Sequence, residues 1–414
     1  MTRHLYLHIP FCQRRCSYCD FNTYANLEDR IEAYVDALVA DIRRSRQDPQ
    51  DWRRLSIPHP TTHNLQPPES TLSPVGLLRS DLRPTIFLGG GTPTMLCLEQ
   101  MERLLAAAGE HVPLEDAEIT TEANPGTVLD EGYLRGLRSL GINRISFGVQ
   151  SLHDPTLRVL GRIHTASEAV ETYRQARRAG FERINLDFIF GLPGQTLEQW
   201  QWTLDRVAEL DADHFSLYSL IVEEGTPLHQ QVTRGSITVP DDDATASMYE
   251  LAIERLDRAG YVQYEISNWA KPGTRASLLP DQASHHNVAY WLNADYLAFG
   301  AGAHGHVYPR RWHDLLRVDE YIATGGRGVA PIAEIIELSA ADLRAETMMM
   351  GLRLNTGVSY AHFQDRCGVE LLESYGQEVA TLEATGLLIQ DDVGLRLTDR
   401  GRALGNQVFL QFLN

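Results

Sequence analysis

The sequence predicts an α/β fold: a partial TIM-like (β/α)6 barrel followed by a C-terminal mixed α+β, winged-helix-like domain. Short apolar runs alternate with amphipathic stretches at intervals of about thirty residues, as parallel strands with crossover helices require. Polar motifs follow the ends of successive strands, where barrel enzymes carry their chemistry. The tail changes to helices and one hairpin pattern.

Six strands and their helices account for the first half of the chain. The strands are expected at 5–8, 85–88, 118–122, 144–149, 184–190 and 215–221. Helices are expected from Ile31 to Ile42, where apolar residues recur at helical spacing, and over 98–110, 129–139, 166–179, 196–210 and 242–259. A doubly wound open sheet is the alternative. The motifs at the ends of consecutive strands favour the barrel.

Three regions are predicted. Residues 1–235 form the core barrel, interrupted at 47–83 by a proline-rich insertion that is expected to be a passive surface loop rather than a docking site. Residues 236–330 form a connecting region dense in aromatic side chains and histidines. Residues 331–414 form the winged-helix-like domain, whose acidic balance favours a structural or protein-docking role over DNA binding.

The net charge limits the partners. A formal charge of −18 over 414 residues argues against nucleic-acid binding and against an anionic membrane surface. The chain shows neither a leader pattern at Met1 nor an apolar run of membrane-spanning length, so we expect a cytoplasmic protein that is not membrane-integral. The five cysteines, an odd number with three of them in one cluster, suit a reducing compartment better than a disulfide framework.

Three of those cysteines fall within eight residues. Cys12, Cys16 and Cys19 are spaced Cys-x3-Cys-x2-Cys. Each thiolate can bind one iron of a 4Fe-4S cube, which leaves the fourth iron open to a ligand. A three-cysteine zinc site or chance clustering is the alternative, although structural zinc sites usually have a fourth protein ligand.

Further polar residues follow the next strands. Gly89-Gly90-Gly91-Thr92-Pro93 follows the second strand, and glycines there allow close backbone approach to a ligand. Glu122, Gln150 and Asp187 stand where apolar strands would otherwise continue. Each alone is consistent with a satisfied polar group. Together they predict one polar face, at which Arg162 is placed to pair with a ligand carboxylate.

The cysteine spacing, with Tyr18 just before the last cysteine, resembles the radical SAM enzymes. In that superfamily the open iron binds S-adenosylmethionine (SAM), and one-electron reduction cleaves SAM to methionine and a 5′-deoxyadenosyl radical. The resemblance implies two cofactors, a 4Fe-4S cluster held by the three cysteines and SAM. It assigns SAM contacts to Tyr6, Gly90, Gly91, Thr92, Glu122, Gln150, Arg162 and Asp187.

Longer strings narrow the resemblance. YLHIPFC from Tyr6, GGGTPT, FGVQS and DFIFGLPG are similar to the branch that contains the oxygen-independent coproporphyrinogen III oxidases and the HemW heme chaperones. The oxidases carry another cysteine where this chain has Phe21, and an N-terminal extension that is absent here. The string His286-Asn-Val-Ala-Tyr290-Trp291 matches a motif typical of the chaperones.

The resemblance therefore implies a protein that binds heme and passes it to an acceptor, a respiratory or other hemoprotein. Oxidative decarboxylation of coproporphyrinogen III is the rival expectation, and a structural iron-sulfur protein without SAM chemistry is a third. His286 is the expected heme ligand, flanked by Tyr290 and Trp291, although the same string is also typical of a hydrogen-bonded core. His304, His306 and His313 are competing ligands.

Overall fold

The computed structural model describes residues 3–47, 76–127, 129–273, 278–325 and 327–413. Most of the predicted insertion, 48–75, lies outside the described residues, so its loop character stays a prediction.

The chain folds into strands and helices whose bounds follow closely from its apolar patterns. The strands are β1 (His4–Ile9), β2 (Phe11–Cys12), β3 (Tyr24–Ala25), β4 (Thr85–Gly90), β5 (Glu118–Ala123), β6 (Arg144–Gln150), β7 (Ile184–Phe190), β8 (His214–Ser219), β9 (Val262–Glu265), β10 (Asn268–Ala270), β11 (Leu297–Phe299), β12 (His304–Val307), β13 (Arg310–Asp314), β14 (Ile332–Glu337), β15 (Val358–Ser359), β16 (Leu388–Gln390) and β17 (Gly394–Leu397). The helices are α1 (Ile31–Gln47), α2 (Leu98–Gly109), α3 (Glu131–Ser139), α4 (Asp154–Val159), α5 (Ala166–Arg178), α6 (Leu197–Leu210), α7 (Pro227–Thr233), α8 (Asp242–Arg258), α9 (His285–Trp291), α10 (Val318–Gly325), α11 (Ala340–Gly351), α12 (Tyr360–Cys367), α13 (Leu371–Ala384), α14 (Asp399–Ala403) and α15 (Gly405–Phe409).

The central sheet confirms the predicted barrel order. Strands β1, β4, β5, β6, β7 and β8 lie side by side in chain order, and each pair is parallel. A doubly wound sheet would reverse its strand order at a switch point. Consecutive order instead means that every crossover runs the same way, so the C-terminal ends of all six strands lie at one face.

The sheet extends beyond these six strands at both edges. β11 pairs parallel to β1, with Leu5 opposite Leu297, and β10 and β9 continue antiparallel beyond β8. Part of the predicted connecting region is thus built into the barrel. Trp312 and Tyr321, from the same region, are buried in the barrel's main core.

The two faces of the central sheet differ in polarity. Alternate residues of β1, Leu5, Leu7 and Ile9, are buried in the apolar core beneath the helices. The other face carries polar side chains into the barrel interior: His4, Tyr6, His8, Thr120, Glu122, Ser146, Asn185, Asp187, His214 and Ser216. Hydrogen bonds connect several of them, including those from Asn185 Nδ2 to Ser146 Oγ at 2.7 Å and from Ser216 Oγ to Asn185 Oδ1 at 3.1 Å. Buried polar groups of this kind require partners.

The C-terminal unit has its own small core and sheet. Helices α11, α12 and α13 pack with an antiparallel sheet of order β15-β17-β16, and β16 and β17 form the hairpin predicted around Asp391. Residues 76–83, which the sequence assigned to a surface insertion, include the buried Leu77 and Leu82. Arg79 also pairs with Asp365 of α12 at 2.6 Å. This end of the predicted insertion is therefore packed against the rest of the chain.

Within the described ranges, no helix has both the length and the apolar composition needed to cross a membrane.

Candidate functional site

The cysteine loop is anchored to the barrel on several sides. It leaves β1 at the C-terminal face, and the Tyr24 N–H donates to Pro10 O at 2.7 Å. The Ser17 N–H donates to Leu160 O at 2.9 Å, and the Leu228 N–H donates to Ser17 O at the same distance. These backbone bonds to distant segments fix the loop to the barrel.

Each thiol of the loop has a polar neighbour. Thr92 Oγ1 lies 3.8 Å from Cys12 Sγ, Thr23 Oγ1 lies 3.8 Å from Cys19 Sγ, and Arg162 Nη1 donates to Cys16 Sγ at 3.4 Å. Burial raises the pKa of Cys12 to about 11, and the nearby thiols of Cys19 and Cys16 add to the rise. The Cys12 thiol is therefore not pre-ionised, so a bound cation must displace its proton.

The thiols are arranged for a cluster rather than for a single ion. No three His, Cys, Asp or Glu side chains in the described part of the chain converge as ligands of one metal ion. In a 4Fe-4S cube each thiolate binds a different iron, so the three sulfurs need not converge on one point as the ligands of a zinc ion do. This arrangement fits the cube better than the alternative zinc site.

The glycine motif after β4 is pressed against the cysteine loop. The Gly91 N–H donates to Ile9 O at 2.9 Å, and the Thr92 N–H donates to Phe11 O at 2.7 Å. A Cβ on Gly91 would lie 2.6 Å from Phe11 O, which only glycine avoids. Because these N–H groups and that of Gly90 are already donated, the loop can offer a ligand only carbonyl oxygens, which accept from an ammonium group.

Glu122 is the acidic group next to this motif. Its Oε2 accepts from the Gly90 N–H at 2.9 Å. Burial raises the pKa of Glu122 to about 7, and the charge of Asp187 contributes to the rise. Asp187 accepts from Ser146 Oγ at 3.0 Å and from Asn185 Nδ2 at 2.7 Å, and burial raises its pKa too. Two carboxyl groups therefore lie inside the barrel with weakened acidity, ready to pair with a cationic ligand.

Arg162 connects the cysteine loop to β6. Its guanidinium donates to Cys16, to Gly148 O and to Asn124 Oδ1, the last at 2.9 Å. Gln150, at the end of β6, adopts a left-handed conformation with φ of 68°. A Cβ on Gly148 would lie 2.8 Å from Gln150 Nε2, so the two predicted side chains Gln150 and Arg162 are neighbours over Gly148. Sequence reasoning missed Asn124, although it lies only two residues after Glu122.

Tyr6 belongs to a second pair that the sequence did not indicate. The Tyr6 hydroxyl lies 3.0 Å from His8 Nδ1, and His8 Nε2 lies 2.9 Å from Asn22 O. A carbonyl can only accept, so Nε2 carries the proton and Nδ1 accepts from Tyr6. The alternation of Tyr6 and His8 along β1 was the available signal. This chain of bonds connects the barrel interior to Asn22, just beyond Cys19.

His286 lies at the opposite end of the strands. Its Nδ1 bonds Thr85 Oγ1 at 2.7 Å, its Nε2 bonds the Tyr290 hydroxyl at 3.0 Å, and its backbone N–H donates to Glu118 Oε1 at 3.0 Å. Thr85 and Glu118 are the first residues of β4 and β5. Gly90 is five residues further along β4, about 16 Å at the usual strand rise. His286 is only 2% exposed and is not brought to the cysteine loop.

The structure thus brings Tyr6, Gly90, Gly91, Thr92, Glu122, Gln150, Arg162, Asp187 and the three cysteines to one end of the barrel. It places His286 at the other end. The sequence alone could not show at which end of the barrel a residue of α9 lies, because α9 follows no strand of the regular β/α pattern.

Two family models match the chain. The model of the Radical SAM superfamily matches residues 6–207, and that of the HemN C-terminal domain matches residues 338–404. The superfamily's cofactors are a 4Fe-4S cluster and SAM. Three free, partly exposed thiols that form no single-ion site fit the cluster, and the Glu122 carboxyl beside Gly90 and the arginine beside Cys16 fit the ammonium and carboxylate of SAM.

Curated relatives match the chain over its full length. The heme chaperone HemW of Bacillus subtilis is 35% identical over 99% of this chain and 98% of its own. HemW of Lactococcus lactis is 34% identical, covering 99% and 96%, and HemW of Mycobacterium tuberculosis is 33% identical, covering 98% and 93%.

A solved structure matches as well. Coproporphyrinogen III oxidase, HemN, from Escherichia coli superposes with a TM-score of 0.75 over 99% of this chain and 89% of its own, at 23% identity. That likeness shows a shared fold, whereas the curated relatives show the family. The chain belongs to the radical SAM superfamily and, within it, to the family of the HemW proteins.

Proposed function

We propose that this protein is a heme chaperone, which binds heme together with a SAM-ligated 4Fe-4S cluster and transfers the heme to an acceptor protein. The observation that carries the proposal is the full-length similarity, at 33–35% identity, to curated proteins that are named heme chaperones. The acceptor is a hemoprotein, respiratory or other.

The residues around the cysteine loop support specific roles. Cys12, Cys16 and Cys19 hold the cluster. Carbonyl oxygens of the glycine motif and the Glu122 carboxylate accept from the SAM ammonium, because the N–H groups there are already donated. When bound and reduced, the cluster supplies the electron that cleaves SAM.

The remaining predicted residues have supporting roles. Arg162, already bonded to Cys16, neutralises negative charge beside the cluster and faces a ligand carboxylate. Gln150 and Asp187 would offer SAM further polar groups from β6 and β7. Tyr6, whose hydroxyl is held by His8, gives the ligand an aromatic wall.

Coproporphyrinogen oxidase activity is the rival function. The shared fold with the Escherichia coli oxidase favours it, since the superposition spans both the barrel and the C-terminal unit. Phe21 argues against it, because the oxidases resemble this chain but have a cysteine at that position. The Phe21 side chain is 65% exposed and gives the loop an apolar surface instead of a thiol.

One preparation tests both functions. The protein is reconstituted anaerobically with iron and sulfide, titrated with hemin, and then mixed with apomyoglobin while transfer is followed from the Soret band. A parallel sample receives dithionite, SAM and coproporphyrinogen III. Saturable hemin binding with transfer, and no protoporphyrinogen, is the expected result.

Formation of protoporphyrinogen would show that the protein is a coproporphyrinogen oxidase and would refute the chaperone function. Release of 5′-deoxyadenosine that depends on dithionite separates a SAM-cleaving protein from one whose cluster is only structural. A Cys16→Ser variant is the matched control for both assays, because it removes one cluster ligand and leaves the barrel intact.

A further inference from the structure

We propose that His304, rather than His286, is the axial ligand that holds heme, at the face of the barrel that carries the cysteine loop. The inference rests on the proposed heme-chaperone function and deepens it by naming the ligand and its surroundings. It follows from the position, the exposure and the neighbours of this side chain.

The position follows from the edge strand β11. Because β11 runs parallel to β1, both strands end at the same face. The cysteine loop follows β1, and His304 begins β12, five residues beyond the end of β11. Asn22 joins the two segments, since its Nδ2 donates to Ala301 O at 2.8 Å. A Cβ on Gly302 would lie 2.5 Å from Asn22, which shows how closely the segments pack.

The ring of His304 is free to bind a metal. The side chain is exposed, and among the described residues neither ring nitrogen has a hydrogen-bond partner. His313, its cross-strand partner, packs beside it with ring centroids 5.2 Å apart. Partial burial and the neighbouring His313 lower the pKa of His304, so the imidazole is neutral near pH 7, which iron ligation requires.

The competing histidines lack this freedom. His286 is buried with both ring nitrogens hydrogen-bonded, so ligation there would break a bond to Thr85 or to Tyr290. His306 is only 2% exposed. His313 Nε2 faces Glu334 Oε2 at 3.2 Å, which occupies one nitrogen. A chaperone must also release its heme, and a ligand at the surface allows release without opening the barrel.

The surroundings of His304 suit an amphipathic macrocycle. Phe21 and Leu316 are 65% and 51% exposed, and Asn22 joins their segments by donating to Leu316 O at 2.9 Å. The Gly302 N–H donates to Leu315 O at 2.9 Å, so the segments that carry His304 and Leu316 are also joined. Heme presents an apolar porphyrin and binds through iron, and these adjoining segments offer it an exposed imidazole and two exposed apolar side chains.

Two arginines complete this surface. Arg15 Nη2 donates to Phe21 O at 3.2 Å, and Arg317 follows Leu316 in the chain. Burial raises the pKa of Tyr24, and the guanidinium groups of Arg317 and Arg15 oppose the rise. The Tyr24 hydroxyl itself donates to Leu316 O at 3.1 Å. Arg317 pairs with Glu320 at 3.4 Å, but both side chains are well exposed and such a pair is weak. In a chain of net charge −18, two cations here match the two propionates of heme.

The test is an anaerobic hemin titration of the reconstituted protein and of five variants, followed by optical and EPR spectroscopy. We expect His304→Ala to weaken hemin binding about tenfold or more. We expect His304→Tyr to convert the iron to a high-spin ferric form with a phenolate charge-transfer band. His153→Ala is the matched control, an exposed histidine just before α4, and should change the dissociation constant less than about threefold.

The outcomes separate this inference from the proposed function. Wild-type affinity and spectrum in both His304 variants would overturn the ligand assignment while leaving heme binding intact. Loss of the ligand signature in His286→Ala, with His304→Ala unchanged, would return the assignment to the buried histidine. A wild-type protein that binds no hemin at all would refute the chaperone function itself. Restoration of the histidine-type spectrum by free imidazole in His304→Gly would support the proposal directly.

Discussion

Arg162 Nη1 donates a hydrogen bond to Cys16 Sγ at 3.4 Å, although the two residues are 146 positions apart in the chain. The same guanidinium also bonds Asn124 and Gly148 O. A buried cation that contacts a cluster ligand stabilises added negative charge on the cluster, and this has a measurable consequence.

Replacing Arg162 by Gln should lower the midpoint potential of the cluster, because the reduced cluster loses a cation and a hydrogen bond. The expected shift is about 60 mV, the one-electron equivalent of roughly 1.4 kcal/mol. An EPR-monitored redox titration measures it. Arg158→Gln, an exposed charge loss on α4, is the control. An unchanged potential in a variant with full iron content would show that Arg162 does not tune the cluster.

Replacing Gly91 by Ala should displace the cysteine loop. The new Cβ would lie 2.6 Å from Phe11 O and 2.9 Å from Ile9 O, and both are backbone atoms that cannot swing away. We expect iron incorporation on reconstitution to fall severalfold. Gly376→Ala on α13, where a Cβ meets nothing within 4 Å, is the matched control and should retain full iron. Normal iron content in both variants would contradict the close packing.

SAM affinity should rise with pH through the titration of Glu122. The pKa of this carboxyl is raised to about 7, so the group is largely protonated at pH 6 and ionised at pH 8. Only the ionised form attracts the ammonium and sulfonium of SAM. Binding is therefore weaker below pH 7, and near pH 7 it releases a proton. Calorimetry in buffers of different ionisation enthalpy measures that proton.

Two variants separate the causes of this pH dependence. Glu122→Gln should abolish both the rise and the proton release. Asp187→Asn should move the midpoint to lower pH, because the charge of Asp187 contributes to the raised pKa of Glu122. An identical midpoint in Asp187→Asn would mean that burial alone sets the acidity.

Replacing His286 by Ala should cost stability. The substitution removes bonds to Thr85 and Tyr290 and the ring that stacks on Phe87 at 4.9 Å, and it leaves a cavity. The expected loss is about 2–4 kcal/mol in the free energy of unfolding, measured by urea denaturation. His304→Ala, at an exposed site, should change it by less than about 0.5 kcal/mol. Equal stability of the two variants would show that His286 does not support the core.

Most of the barrel could be predicted, because strand and helix patterns are local. β7 spans Ile184–Phe190 as expected, and α1 buries the predicted stripe at Tyr34, Val35, Leu38 and Ile42. β11 could not be predicted in the same way. It has three residues, and it pairs with β1, the first strand of the chain, so that Leu5 lies opposite Leu297. So short a run carries no periodicity of its own.

The candidate site also has one part that the sequence could predict and another that it could not. Cys12, Cys16 and Cys19 could be grouped from their spacing. Glu122 and Gln150 could be grouped from their places at strand ends, because parallel strands in consecutive order end at one face. Asp187 could be added because it interrupts an apolar strand. The contacts of Arg162 with Cys16 and Asn124 could not be predicted, since they join the loop after α4 to two separate segments. Such contacts depend on how loops pack.

By itself the sequence determined the kind of chemistry: a three-thiol loop at the end of the first barrel strand, with polar groups at the ends of the strands that follow. Those features are encoded in local spacing and strand rhythm. Only the tertiary structure decided which histidine is accessible, because exposure depends on packing between distant segments. It buries His286 of α9 against the first residues of β4 and β5. It places His304, the first residue of β12, at the face of the cysteine loop.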